Sequence, residues 1–393
     1  MGDTRYVFAV FTAALTVVGG IVLANSILDP YGITQWFSHP RINAQKPGTI
    51  GRERIYRAFE VRRVCPEVIA LGNSRTAYGV PMDHPDWAQR TRRNLAMSGA
   101  SIQEMQKTFE LAASQGCLRQ AVVGLDLFSF NENRRSYPDF SEFLFDVRAP
   151  RPALLVSQYA STAALFDTFK TLRSQGPGMF TQVFMADGSF SPAEMNARWT
   201  AMGGARQFFQ FQVKNTEYFR PPTFRFDLID PSREFRSLLE SARKHQVDLR
   251  MFFSPEHAWL VEIVRLSGIW SSFEAWKRGI VRVVAEEGGT NPFPLWDFQQ
   301  INDKTTEPVP AGVNTTEHMR WWSDGSHYTQ EFGRLIVSRM LSNSASDELG
   351  QKLNPENVER SLRTLSLALD SYEKTHGGDI AELSKLVEAV RRR

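Results

Sequence analysis

Apolar positions along the chain follow three regimes, and each predicts a different kind of element. Over residues 6–28 they are continuous: YVFAVFTAALTVVGGIVLANSIL carries no charge, and as a helix it is long enough to cross roughly 30 Å of hydrocarbon. One membrane anchor is expected. A cleaved signal peptide competes with it, because Ala24-Asn25-Ser26 is a weak cleavage site, although the apolar run is longer than an ordinary signal core. Arg5 before the run and Arg41 and Lys46 after it leave its orientation open.

The second regime is alternation. After a linker and basic helix over 29–64, short apolar runs at 68–71, 93–96, 121–127, 247–253 and 294–298 read as strands, the third of them apolar enough to be buried on both faces. Between and after them, 102–113, 231–245, 259–287 and 328–341 read as helices; Met105, Phe109 and Ala112 share one face of the first. Strands alternating with helices predict an α/β body over 65–342, a doubly wound parallel five-stranded sheet whose site lies at the strands' C-terminal ends. Residues 131–230, rich in Phe, Tyr and turn formers, are too long for a connection and are expected to form an inserted helical cap.

The third regime closes the chain. Over 343–393, Val358, Leu362, Leu365 and Leu369, and then Ile380, Leu383, Val387 and Val390, recur at helical spacing on either side of Gly377-Gly378. This predicts a helical hairpin whose apolar face packs on the body, recruitment of a partner being the alternative.

Composition narrows the class. With 42% hydrophobic and 23% charged residues the body reads as globular, and a net charge of +3 with no groove-reading or base-stacking motif argues against nucleic acid. The two cysteines, Cys65 and Cys117, each stand seven residues before a glycine that ends a strand-like run. On neighbouring parallel strands they would lie level, so a disulfide suited to an oxidising compartment and a pair of free thiols both remain open. No H-E-x-x-H or cysteine–histidine cluster occurs, so neither metal nor cofactor is expected.

Candidate chemistry begins at VIALGNSRTAYGV, residues 68–80, where Ser74 follows a strand and a glycine. A serine in such a turn is common. WWSDGSHYT, residues 321–329, raises its interest: Asp324 and His327 are spaced so that the carboxylate holds one imidazole nitrogen while the other faces a serine hydroxyl. In NLAMSGAS, residues 94–101, Gly99 follows the second strand, where a bare backbone N–H can point at a developing oxyanion.

Ser74, the Asn94…Gly99 block, a strand-three block and the late Asp324-x-x-His327 together resemble the SGNH (GDSL-like) hydrolase superfamily, whose sheet is flavodoxin-like. With the anchor and DPYG (29–32), the chain is similar to the membrane-anchored periplasmic members associated with O-acylation of cell-envelope polymers, such as the alginate O-acetylation and D-alanyl transfer proteins. The likeness covers roughly 65–130 and 245–342. It implies Ser74 as nucleophile, His327 as general base and acid, Asp324 as its orienter, and the N–H groups of Ser74 and Gly99 as oxyanion donors.

Two departures stand out. The first block reads Gly-Asn-Ser. In the third, Gly124-Leu125-Asp126 replaces the superfamily's Gly-x-Asn-Asp, so Asp126 stands where an asparagine donor is expected. One oxyanion donor is worth about 2.7 to 4 kcal/mol, and a carboxylate some 4 Å away opposes it by roughly 4 kcal/mol at an effective dielectric near 20. Three resolutions are open: Asp126 is protonated, it turns away to pair with an arginine, or Asn131 or Asn133 takes its place. Arg75 is a candidate to hold Asp126 or an anionic sugar. Glu256 is expected to cap a helix and Asp297 to pin the cap's loops, while for His257 holding substrate or polarising a water and a purely structural place both remain open.

The resemblance implies a serine esterase or O-acetyltransferase on the inner membrane, its domain in the periplasm, acting on an O-acylated polysaccharide, with a membrane-bound O-acyltransferase as partner. The alternative is an inactive polysaccharide-binding or assembly component on the same fold.

Overall fold

The computed structural model describes residues 2–132, 136–178, 183–215, 233–289, 291–312, 317–342 and 349–392. They separate into two compact units, Met1–Val64 with Tyr137–Val183 and Cys65–Ser136 with Phe184–Arg393. Part of the expected cap, 137–183, thus groups with the N-terminal segment. Another part, 184–215, groups with the sheet, and 216–232 lies outside the described residues.

In the smaller unit, α1 (Gly2–Leu28) is long and apolar enough over Thr4–Leu28 to cross a membrane. Its last turns pack against α6 (Arg151–Tyr159) and α7 (Thr162–Arg173). Asn25 donates to the Tyr159 carbonyl at 2.8 Å and accepts from the Thr168 hydroxyl at 2.8 Å. The segment after α1 is built in as well. Buried Asp29 accepts from the Ile33 and Gln35 N–H groups and from Tyr159 Oη, and Asn43 Nδ2 donates to the Phe37 carbonyl at 2.8 Å and reaches those of Ile27 and Leu28 at 3.3 Å. The basic helix is α2 (Glu53–Val64), followed in this unit by the short α5 (Glu142–Phe145).

The larger unit holds a mixed six-stranded α/β sheet. β1 (Val68–Leu71) lies between β2 (Arg92–Asn94) and β3 (Gln120–Leu125); β4 (Asp248–Phe253) and β5 (Leu295–Asp297) follow, all parallel. β6 (Gln351–Lys352) pairs antiparallel with β5. The expected five strands are corrected to six, because β6 is two residues long and has no apolar period to announce it. The order 2-1-3-4-5-6 reverses beside β1, and such reversal points leave a crevice at the strands' C-terminal ends.

Helices connect the strands: α3 (Ser74–Gly79), α4 (Ile102–Ser114), α8 (Pro192–Ala201), α9 (Ala205–Asn215) and α10 (Arg233–Lys244) come before β4. The single helix expected over 259–287 is two, α11 (Ala258–Leu266) and α12 (Trp270–Glu286), broken at Gly268, whose φ of 79° is left-handed. α13 (Gln330–Leu341) packs on α3; α14 (Val358–Thr375) and α15 (Gly377–Arg391) form the C-terminal hairpin, packed on α12 and α11.

Val68 pairs with Gln120, which sets Cys65 and Cys117 level beyond the strands' N-terminal ends; the two are disulfide-bonded, with Cα atoms 5.7 Å apart.

Candidate active site

Ser74 opens α3 directly beyond β1, at the point where the strand order reverses. Asn73 caps the helix by accepting from the Arg75 N–H at 2.9 Å. Gly72 is required here: a Cβ would stand 2.1 Å from Thr76 Oγ1, in a turn with φ of 157°. Glycine lets the chain leave the strand and enter the helix without a spacer.

His327 arrives from the opposite end of the chain on a tight turn. Trp322 and Tyr328 form an antiparallel bridge, and the Ser323 N–H donates to the His327 carbonyl at 2.8 Å. Inside that turn Asp324 Oδ1 accepts from the N–H groups of Ser326 and His327 and from the Ser326 hydroxyl. Its Oδ2 lies 2.8 Å from His327 Nδ1, and His327 Nε2 lies 2.9 Å from Ser74 Oγ. The carboxylate fixes the proton on Nδ1, which leaves the Nε2 lone pair for the serine O–H. Burial works against charge on Asp324, but the imidazole and the two N–H groups outweigh it and hold the carboxyl below its ordinary value. Such a chain can draw a proton from a serine as its oxygen forms a bond, and return it to a leaving group.

Three side chains absent from the sequence expectations complete this corner. Tyr78 sets its ring edge-on to His327, centroids 5.5 Å apart, and its hydroxyl bonds Glu194. Gln212 of α9 accepts from the Ser326 hydroxyl at 3.2 Å, and the Phe209 ring lies over Gly325, where a Cβ would stand 2.5 Å from it. α9 thus covers the turn that carries the histidine. A helical stripe in an apolar segment gives no local sign of that role.

Asp126 turns to Arg75. Arg75 Nη1 donates to Asp126 Oδ1 and, at 2.7 Å, to Glu256 Oε1, and the Ser254 hydroxyl donates to Asp126 Oδ2 at 3.1 Å. All three charged side chains are buried. Burial opposes the guanidinium charge, yet the two carboxylates overcome it and hold Arg75 firmly protonated; burial also pushes Glu256 above the ordinary carboxylate value. Of the three resolutions, pairing with an arginine is the one observed.

The remaining candidates separate. Asn94 is not available to an oxyanion: Nδ2 donates to the Thr76 and Val80 carbonyls, both at 2.9 Å, and Oδ1 accepts from the Ala96 N–H, so this side chain ties the end of β2 to α3. Arg75, also a candidate for an anionic sugar, spends its Nη1 on two carboxylates, the other of its two expected roles. His257 takes the structural place left open for it. It is buried, its Nε2 lies 2.7 Å from the Glu307 carbonyl, and its Nδ1 accepts from the Trp259 N–H as the cap of α11; burial, ahead of other causes, lowers its pKa to about 4. The cap expected of Glu256 therefore belongs to its neighbour. Asp297 pins the C-terminal hairpin instead of the cap, lying 2.8 Å from buried Lys277 Nζ and accepting from Ser361 of α14. Asn131 follows a short 3-10 turn and its N–H donates to the Phe128 carbonyl; Asn133 lies outside the described residues. Gly99, at φ of 57°, spends its N–H on no hydrogen bond among the described residues.

No family model matches this chain, and no curated protein does so.

Proposed function

We propose that this chain is a membrane-anchored serine acyl enzyme of the SGNH (GDSL-like) kind, which takes an acyl group onto Ser74 and delivers it to water or to a sugar hydroxyl. The observation that carries the reading is the unbroken chain from Ser74 Oγ to His327 Nε2, and from His327 Nδ1 to Asp324, at 2.9 and 2.8 Å. His327 accepts the serine proton as Oγ attacks an ester carbonyl, Asp324 keeps the imidazole in the required tautomer, and the proton returns to the departing alkoxide. The acyl-enzyme then yields to whichever hydroxyl reaches it. An O-acetylated envelope polysaccharide as substrate, and a membrane O-acyltransferase as supplier of the acyl group, follow from the family resemblance.

The oxyanion is left to the backbone. With Asp126 committed to Arg75, the Ser74 and Gly99 N–H groups are the donors of this reading, and the missing side-chain donor is worth about 2.7 to 4 kcal/mol of barrier. Slow turnover is expected. The disulfide supports a domain outside the cytoplasm, and the hydrogen bonds that build Asn25 into the fold support retention of α1 over its removal.

Asp126 also favours a second reading, a non-catalytic polysaccharide-binding or assembly component. Labelling of the full chain, purified in detergent, with a fluorophosphonate probe decides between them. Label that disappears in both Ser74→Ala and His327→Ala supports the enzyme; no label on folded protein assigns the chain to the binding class.

A further inference from the structure

The smaller unit wears its apolar side chains outward. Among the described residues, those of 29–64 and 137–183 expose ten large apolar side chains, six of them aromatic, whereas the more numerous described residues elsewhere after α1 expose five, of which Phe211 alone is aromatic. The clearest case is α7. Ala164, Thr168 and Thr171 form its buried stripe, and on the opposite face, where a surface helix ordinarily carries charge, stand Phe166 (74% exposed) and Phe169 (54%) with Lys170 and Arg173 beside them. Aromatic rings flanked by long cationic side chains are the composition of a helix lying in a membrane interface.

The length of α1 argues the same way. Its charge-free run starts at Tyr6, every side chain from there to residue 20 is exposed, and burial against the rest of the unit begins at residue 21. The bare stretch is therefore 15 residues, about 22 Å, short of a hydrocarbon core of about 30 Å. About five further residues must enter the bilayer, which brings the level of Asn25 to its boundary. Thr168 of α7 bonds Asn25, and Asn43 holds the Phe37 carbonyl beside those of Ile27 and Leu28. Phe169 and the exposed pair Trp36 (67%) and Phe37 are next to those anchored residues in the chain. Residues 29–64 and 137–183 also hold 11 Lys and Arg against 7 Asp and Glu, a balance suited to anionic headgroups.

We propose that the outward face of α7, together with Trp36 and Phe37, seats in the headgroup layer of the bilayer that α1 crosses, so that the smaller unit is a membrane-embedded foot. The proposal rests on the reading of α1 as a retained anchor, and the test separates the two. Both native cysteines are in the disulfide, so one added cysteine gives one labelling site. The full chain is placed in bilayers of phosphatidylethanolamine with a minority of phosphatidylglycerol. Spin labels at Phe166→Cys, Phe169→Cys, Leu15→Cys and Leu367→Cys are then compared for access to oxygen and to a nickel chelate. Leu15 reports the anchor and Leu367, exposed on α14, reports water. The expected result is oxygen over nickel at 15, 166 and 169, and the reverse order at 367. Oxygen over nickel at 15 with labels at 166 and 169 that behave like 367 overturns the foot and spares the anchor. A label at 15 that behaves like 367 overturns both. Labels at 166 and 169 screened from both reagents mean that protein covers the face, and also overturn the proposal.

Discussion

Arg75 stands next to Ser74 in the chain, yet its guanidinium points into the protein and donates to Glu256, 181 residues away, at 2.7 Å. The same nitrogen holds Asp126. The residue after Ser74 thus forms ion pairs with two buried carboxylates at once.

Removing that partner is expected to be costly. Arg75→Leu strands Asp126 and Glu256 and should lower stability by about 3 to 5 kcal/mol. Glu256→Gln keeps an acceptor for Arg75, and burial already pushes that carboxyl toward its protonated form, so a loss of about 1 kcal/mol is expected. Urea unfolding of both variants measures the contrast; equal losses would contradict this account of the cluster.

Asp324→Asn keeps the shape of the turn and loses control of the imidazole tautomer. The rate of fluorophosphonate labelling should fall by about 10³ to 10⁴-fold, by analogy with triad carboxylates elsewhere. A labelling rate within tenfold of the parent would show that the carboxylate does not orient the base.

Glu262 on α11 gives the fold a dependence on pH. Its carboxyl is buried, and burial, with Glu373 adding to it and Arg265 opposing, raises its pKa from about 4.5 to about 8. A raised native pKa means that the folded state holds the proton more tightly, so the contribution of Glu262 to stability is full below about pH 4.5 and is lost as pH rises through about 8. Glu262→Gln should flatten that decline. Melting temperatures of both proteins across pH 5 to 9 test it, and parallel curves would exclude Glu262 as the source.

The disulfide closes a loop across a sequence separation of 52 residues, which in the chain-entropy picture stabilises by about 4 kcal/mol. Cys65→Ser or Cys117→Ser should therefore reduce the urea midpoint, and a reductant should do the same to the parent protein. A parent indifferent to reductant would indicate that the thiols are not bonded in solution.

Features at chain punctuation were the legible ones. Ser74 follows a strand and a glycine, Asp324 and His327 share one turn, and the cysteines carry equal offsets to paired strands, so local spacing brings each near its place. What escaped depends on partners distant in sequence. Asn94 has the composition of an oxyanion donor, but its amide is consumed by carbonyls 14 and 18 residues earlier. His257 takes the cap expected of Glu256, and Glu256 pairs with Arg75 instead, because a cap and an ion pair differ by one residue and by what lies opposite. The grouping of 137–183 with the N-terminus rests on Asn25, Tyr159 and Thr168, an association that no periodicity records. The break at Gly268 is the exception: Ser267-Gly268 was a visible stop signal within the apolar pattern.

β6 is only two residues, yet it covers the outer side of β5, and the Leu353 N–H adds a bond to the Leu295 carbonyl. Without it, a central-type strand would present its bare backbone to solvent, the template that lets one molecule recruit the next. A copy cut short before Gly350 would have lost the stopper of its sheet, and at high local density such copies would find the missing strand in each other.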